Sequence, residues 1–361
     1  MNEKNVKKPY GRLKIIWHPE KLESLLNKKV TAPIYVRIKP TNRCDHKCFW
    51  CSYDPEAKNI LSEDINRNDE IPKEKMMEIL SDFKDMGVKA VTYSGGGEPL
   101  VYQYILETFK KTLEENIDLS IITNGQQLFG EKAELLSEAK WIRISADYCN
   151  SKTFKESRRI PEKLFYKLKE NIKKFSNIKN SDCELGINFV IHHLNESKVY
   201  EAGKFFKELG VNHIRYTPRW MEKEWDKYHE PFKEKVIEQI KKAQQDLSDE
   251  RFNVYDTYED DFSRPKRTQR DYSKCAIMQT VPVIAADSCV YFCHDKTYTE
   301  KGRLGSIKDK SFKKLWFSEE TKEKFDNFDA RKECHQHCVY DAKNILINEI
   351  LNNHGEQVNF I

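Results

Sequence analysis

The chain has 361 residues, 33% of them charged and 39% hydrophobic, and its 62 Lys and Arg against 58 Asp and Glu leave a formal net charge of +4. No apolar run reaches the roughly 18 residues of a membrane span, and so even a charge balance argues against a dedicated nucleic-acid surface. The start, "MNEKNVKKPYGRLKIIW", has no apolar stretch of signal-peptide length, so a cytoplasmic protein is expected, with Lys4, Lys7, Lys8, Arg12 and Lys14 in a solvated N-terminal extension over 1–31.

From residue 32 the pattern alternates. "APIYVRIK" reads as a buried strand. "PKEKMMEILSDFKDMG" reads as a helix with Met76, Leu80 and Phe83 on one face and Gly87 as its stop. "VKAVTYSG", "IDLSIITNG", "KWIRISAD", "CELGINFVIHH" and "VNHIRYTP" follow as strands. Between them come helices over "YQYILETFKKTLEEN", 131–139, 151–176 and "SKVYEAGKFFKELG". Such β/α units imply a parallel sheet with right-handed crossovers. Six units are too few to close an eight-stranded barrel, so the expected fold class is α/β, a partial (β/α)6 TIM-type barrel over 32–218. Its ligand site belongs at the carboxyl ends of the strands. Residues 219–274, polar with a helix near 229–247, read as a connector. Beyond 275 "VPVIAADSCVYFC" reads as a hairpin around Asp287 and Ser288 that places Cys289, Tyr291 and Cys293 on one face. Helices near 311–324 and 339–352 complete a small C-terminal α+β unit over 275–361.

Ten cysteines in a chain of this kind point to metal or redox chemistry. Cys44, Cys48 and Cys51 crowd into "TNRCDHKCFWCSYDPE", just after the first strand. Thiolates favour zinc, Cu(I) or iron–sulfur clusters. His46 could complete a zinc set, but between Cys44 and Cys48 it makes a cramped chelate. A cubane held by three thiolates instead leaves one iron open, as catalysis needs. One β/α unit on, "YSGGGEP" offers Gly95, Gly96 and Gly97 for close backbone approach and Glu98 as an acceptor for an ammonium group.

Cys44, Cys48 and Cys51, with Trp50 ahead of the last, resemble the signature of the radical S-adenosylmethionine (radical SAM) superfamily. The resemblance implies a [4Fe–4S] cluster on these thiols, with SAM on the open iron. One electron then cleaves SAM to a 5′-deoxyadenosyl radical that takes hydrogen from a substrate. Trp50 would lie near the adenine, and Gly95, Gly96, Gly97 and Glu98, matching the family's "GGEP", would hold the SAM amino group. Arg143 and Ser145 in "RISAD", Asn124 in "TNG", and Asn188 and Val190 on the fifth strand would line the cofactor. Asp147 would face SAM or substrate, and Arg215 would meet a substrate anion. For Arg143, Ser145 and Asp147 the plain alternative is alternating polar residues at a strand end; for Arg215 it is a structural salt bridge.

Cys275, Cys289, Cys293, Cys334 and Cys338 form a second set. "ADSCVYFCHD…GRLGSI…SFKKLW" resembles the SPASM/Twitch region of radical SAM enzymes. Five cysteines fit the shorter Twitch form, which implies an auxiliary [4Fe–4S] cluster on Cys275, Cys293, Cys334 and Cys338. Zinc on the same four is the structural alternative. Cys289 is then surplus. It and Cys149, past the fourth strand, are candidate hydrogen donors of an epimerase, against the ordinary role of a buried thiol; Cys183 is a weaker candidate. The resemblance implies a flavodoxin or ferredoxin as electron donor. The expected substrate is a small polar metabolite such as a sugar, amino sugar or nucleotide sugar, because about thirty residues ahead of the barrel are too few for a peptide-recognition domain. A peptide maturase is the alternative, and a metal-stabilised binding protein a third reading.

Overall fold

The computed structural model describes residues 11–54, 64–220, 224–263, 269–335 and 338–353. In chain order it contains α1 (Pro19–Leu26), β1 (Tyr35–Ile38), α2 (Lys73–Met86), β2 (Ala90–Tyr93), α3 (Ile105–Glu114), β3 (Asp118–Thr123), α4 (Glu131–Leu136) and β4 (Trp141–Ala146). There follow α5 (Ser151–Arg158), α6 (Lys163–Ile178), β5 (Glu184–Ile191), α7 (Val199–Glu208), β6 (His213–Pro218), α8 (Trp225–His229), α9 (Lys233–Leu247), β7 (Asn253–Asp256) and α10 (Tyr258–Ser263). The chain ends in β8 (Val283–Ile284), β9 (Cys289–Tyr291), β10 (Arg303–Ser306), α11 (Phe312–Trp316), α12 (Glu319–Asn327), α13 (Ala330–Glu333) and α14 (Asp341–Asn352).

The strands form one open sheet of ten, in the order β10-β9-β8-β1-β2-β3-β4-β5-β6-β7. From β1 to β7 every neighbouring pair is parallel, and β8 joins β1 in parallel on the other side. Only the β8–β9 and β9–β10 pairs are antiparallel. This is an open TIM-type barrel with a C-terminal hairpin extending the same sheet. The backbone of Tyr35, Arg37 and Lys39 donates to Thr280, Pro282 and Ile284, so the sheet runs unbroken across residue 275.

Alternation along the strands separates two faces. On β4, Ile142, Ile144 and Ala146 are buried under the helices, whereas Trp141, Arg143 and Ser145 are half-buried on the concave side. On β5 and β6 the concave residues include Asn188, Val190, Arg215 and Thr217. The helices supply the other half of the core through regular stripes: α2 buries Met76, Ile79, Leu80 and Phe83 and stops at Gly87, whose φ of 78° is the left-handed conformation glycine adopts freely.

Three expectations change. The connector holds a seventh strand, β7, paired with β6; its only fully buried residue is Val254, so no alternation announces it. The helix expected over 151–176 is two helices, because Arg159 takes a φ of 53° and Pro161 follows it. The N-terminal segment is not wholly a solvated tail: Ile15, Leu22 and Leu25 pack with Ala276, Ile277 and Ile347 of α14. Lys4, Lys7 and Lys8 lie outside the described residues.

Candidate functional site

Cys44, Cys48 and Cys51 occupy the loop leaving β1, at the carboxyl end of the sheet. The loop is fastened from three directions. Gly97 N–H donates to Thr41 O at 3.0 Å and Glu98 N–H to Arg43 O at 2.8 Å, tying it to the turn after β2. Asp45 accepts from Asn124 Nδ2 at 2.7 Å and Gln127 Nε2 at 3.0 Å, tying it to the turn after β3. Lys47 N–H and Phe49 N–H donate to Arg158 O and Ser157 O, tying it to the end of α5.

The glycine run explains itself in this packing. A Cβ on Gly97 would sit 2.0 Å from Arg43 O, and one on Gly96 would sit 2.0 Å from Asn42 Oδ1. These two glycines let the second loop press against the cysteine loop, Gly97 on its backbone and Gly96 on the Asn42 side chain. Glu98, 3% exposed, accepts from Leu100 N, Thr123 Oγ1 and Asn124 N at 3.0, 2.6 and 2.6 Å. Burial outweighs these bonds and pushes its carboxyl up to about 7. Beside it Ser94 Oγ is buried with no protein partner.

At the end of β4 a second network forms. Asp147, fully buried, accepts from Trp50 Nε1 at 2.5 Å, Arg158 Nε at 2.8 Å, His192 Nε2 at 2.9 Å and Ser157 Oγ at 3.2 Å. Burial pushes its carboxyl up, but Arg158 and the bonds from His192 and Trp50 prevail and hold it near about 2. Arg158 also donates Nη2–H to Ser145 O at 2.9 Å and Nη1–H to Cys48 Sγ at 3.1 Å. Its guanidinium lies 5.2 Å from the ring centres of both Trp50 and Tyr148.

The second set is gathered from separate segments. Cys275 precedes a 3-10 turn, Cys293 follows β9, Cys334 follows α13 and Cys338 precedes α14. Cys275 lies within electrostatic reach of Cys334, and Cys293 and Cys338 of Cys275 and of one another. Asn344 Nδ2 donates to Cys275 Sγ at 3.2 Å. In the first set Cys48 is likewise in reach of Cys44 and of Cys51. Burial raises all seven thiols, Cys48 and Cys275 to about 11, so the metal-free chain keeps them protonated and metal uptake must release protons.

Both thiol sets fit iron–sulfur clusters in donor type and placement. Among the described residues no three His, Cys, Asp or Glu side chains converge on one point, as a single ion demands. A cubane takes one thiolate per iron and spreads them. His46 packs edge-to-face on Phe154 at 5.9 Å and joins no such group.

The remaining sequence-derived residues divide. Arg143 and Ser145 face the concave side, and Ser145, Asn188 and Arg215 lie in register on neighbouring strands. Asn188 Nδ2 bonds Thr217 Oγ1 at 3.2 Å, and Arg215 Nε bonds Thr257 Oγ1 at 3.2 Å. Asn124 spends its side-chain amide on Asp45, and Val190 half-faces the barrel. The two proposed hydrogen donors stand apart: Cys149 past the end of β4, and Cys289 on the hairpin face it shares with Tyr291 and Val283, in register with Arg37. Cys149 sits among Asn150, Lys198 and Glu201 at the α7 side, because the strand has ended and the chain is turning into α5. Cys289 is 7% exposed, packed with Val283, Ala285, Tyr291 and Tyr298, and in reach of Asp287 and Arg303. Cys183 is buried against Leu136 O. Arg158 and His192 carry no local motif; their partners are fixed by tertiary packing.

The family model described as the radical SAM superfamily matches residues 38–206, and that of the SPASM iron–sulfur cluster-binding domain matches residues 275–339. The chain is 26% identical over 186 residues to a GTP 3′,8-cyclase of Desulforamulus reducens, covering 50% of this chain and 54% of the relative. It thus spans about half the length of that curated relative. Among solved structures, SuiB of Streptococcus suis bound to S-adenosylmethionine superposes with a TM-score of 0.61 at 18% identity, over 84% of this chain and 70% of that one. Native anSMEcpe with bound AdoMet gives 0.58 at 18% identity, over 89% and 100%.

Proposed function

The chain belongs to the radical SAM superfamily and carries a SPASM domain, and from that premise we propose that it removes hydrogen from a small, polar, anionic metabolite, with oxidation or rearrangement as the outcome. Its cofactors are SAM, the [4Fe–4S] cluster that binds it and auxiliary iron–sulfur chemistry in the SPASM domain. When bound, these supply the 5′-deoxyadenosyl radical. The chain's own residues position, orient and exclude water. Cys44, Cys48 and Cys51 hold the first cluster, Cys275, Cys293, Cys334 and Cys338 the second. Trp50, pinned through its indole N–H, supports the adenine. The turn over Gly95, Gly96, Gly97 and Glu98 holds the SAM amino group, with Ser94 Oγ free to join.

The observation that carries the substrate class is the concave face. Arg37 on β1, Arg143 on β4 and Arg215 on β6 point into it, with Ser145, Asn188 and Thr217 between them. After burial, Arg37, Lys39 and Arg143 hold His294 well below the usual imidazole range, so these basic side chains gather around one space, where burial and Arg37 lower Lys39 and the guanidinium groups keep their charge. Cations in such a cleft favour a phosphate or carboxylate. The nucleotide in the name of the GTP 3′,8-cyclases agrees with this class. A peptide substrate is the second reading, favoured by the likeness in fold to SuiB bound to precursor peptide SuiA, which spans 87% of this chain.

The test uses anaerobically reconstituted protein with SAM and a reductant. Sugar phosphates, nucleotide sugars and GTP are compared with short peptides as triggers of 5′-deoxyadenosine formation. Deuterium transfer from labelled substrate into 5′-deoxyadenosine is the readout. Transfer from an anionic small molecule supports the proposal; transfer from peptides alone overturns it in favour of the second reading.

A further inference from the structure

We propose that Arg158 is a positioning residue that sets the reduction potential of the three-cysteine cluster, through a charge-assisted N–H···S bond to Cys48 that Asp147 holds in place. The proposal rests on the cluster assignment above and adds what tunes it.

The guanidinium has three fixed contacts and almost no freedom. Arg158 is 2% exposed, and its three nitrogens reach Asp147, Ser145 O and Cys48 Sγ at 2.8, 2.9 and 3.1 Å. Trp50 and Tyr148 flank its plane. The backbone on both sides of Cys48 is bonded to the same helix end, at Ser157 O and Arg158 O, so donor and acceptor cannot drift apart. The fork of an arginine is planar and never loses its charge, so this donor is constant across pH.

Asp147 fixes the orientation. Four donors occupy its two oxygens, and Asn195 Nδ2 binds its carbonyl at 2.9 Å. With its lone pairs so occupied, the carboxylate has little reason to release the guanidinium. Hydrogen bonds to cluster sulfurs are among the factors that set iron–sulfur potentials. One-electron reduction adds negative charge that the sulfurs share. An N–H aimed at a sulfur therefore stabilises the reduced state more than the oxidised one, and a charged donor does so more strongly than a neutral one.

The second set supplies an internal control. Cys275 also receives a side-chain N–H, from Asn344 at 3.2 Å, besides the backbone N–H groups of Met278 and Ile277, but Asn344 is a neutral amide held by Ile277 N–H on its Oδ1. The two sets differ in the charge of the side-chain donor, which predicts separable effects.

The experiment is potentiometric titration of the reconstituted full chain, followed by EPR without SAM, with Cys48→Ala identifying the signal of the auxiliary cluster. In Arg158→Met the first cluster should be harder to reduce, its reduced-to-oxidised ratio at fixed potential falling about tenfold, or about 59 mV for one electron. Arg158→Lys, which keeps charge without the fork, should fall between. The auxiliary midpoint should stay in place. Asn344→Leu should move only the auxiliary midpoint, by less. Where Arg158→Met does not retain the first cluster, Arg158→Gln is read instead. A wild-type midpoint in either variant overturns the proposal. So does failure of both to retain the cluster in a folded chain, which would make Arg158 an assembly residue. Absence of any iron signal in the wild-type protein would instead remove the cluster assignment itself.

Discussion

The two cysteine sets are built in opposite ways. Cys44, Cys48 and Cys51 stand on one loop, and the rest of the sheet's carboxyl end is arranged to hold that loop: the turn after β2 by backbone bonds, the turn after β3 through Asp45, α5 through Ser157 and Arg158. Cys275, Cys293, Cys334 and Cys338 come from four places, and the hairpin, α13 and α14 must all be in position before they meet. The first set is local in sequence and needs support; the second is itself a product of the tertiary fold. The donors to sulfur repeat the contrast, a buried charged pair at Cys48 and a neutral amide at Cys275.

Substitutions break this contrast in graded steps. Cys48→Ala should lower SAM cleavage to background while leaving the auxiliary iron in place, checked by 5′-deoxyadenosine assay and iron content. Asp147→Asn leaves a buried guanidinium without its counter-charge, and should cost about 3–5 kcal/mol in a urea titration. Asn344→Leu, the matching change at the second set, removes two neutral bonds, to Cys275 Sγ and from Ile277 N–H, and should cost about 1–3 kcal/mol. Equal costs would erase the difference between the sets. Gly97→Ala drives a methyl onto Arg43 O. Backbone cannot swing aside as a side chain can, so a loss of about 3 kcal/mol is expected, with reduced iron retention at the first set.

Glu98 adds a pH test specific to the first set. Its carboxyl is raised from 4.5 to about 7, so in this range the folded chain binds more protons than the unfolded one. Its contribution to metal-free stability is full below pH 4.5 and is lost as pH rises through about 7. The loss is on the order of 3 kcal/mol. Thermal melts of the metal-free protein across this window should show that slope, and Glu98→Gln should flatten it. The smallest effect is expected at Cys149→Ala, which lies at the α7 side: product yield unchanged and stability within about 1 kcal/mol. A trapped substrate radical in that variant would restore Cys149 to the chemistry.

The sequence made some of this legible for physical reasons. The β/α alternation shows because each strand carries a buried face and each helix a stripe, both periodic. Cys44, Cys48 and Cys51 show because the three stand within eight residues of one another. β7 does not show, since one buried valine makes no period. The role of Gly96 and Gly97 was legible only as close approach; that the neighbour is the cysteine loop itself depends on tertiary packing. Arg158 is invisible for the same reason: it reads as one more basic residue in "KESRR", and only the helix break at Arg159 and Pro161 sets it against Asp147. For Cys149, closeness to a strand end in sequence does not say which side of the sheet the chain turns to.

Iron and acid-labile sulfide counted on the anaerobically reconstituted full chain, beside Cys48→Ala and Cys293→Ala, decide whether the sets are two separate cluster sites. About eight irons in the wild type and about four in each variant, with SAM perturbing the EPR signal of Cys293→Ala but not of Cys48→Ala, is the predicted result. Tightly bound zinc without iron, or a SAM response that survives in Cys48→Ala, would contradict it.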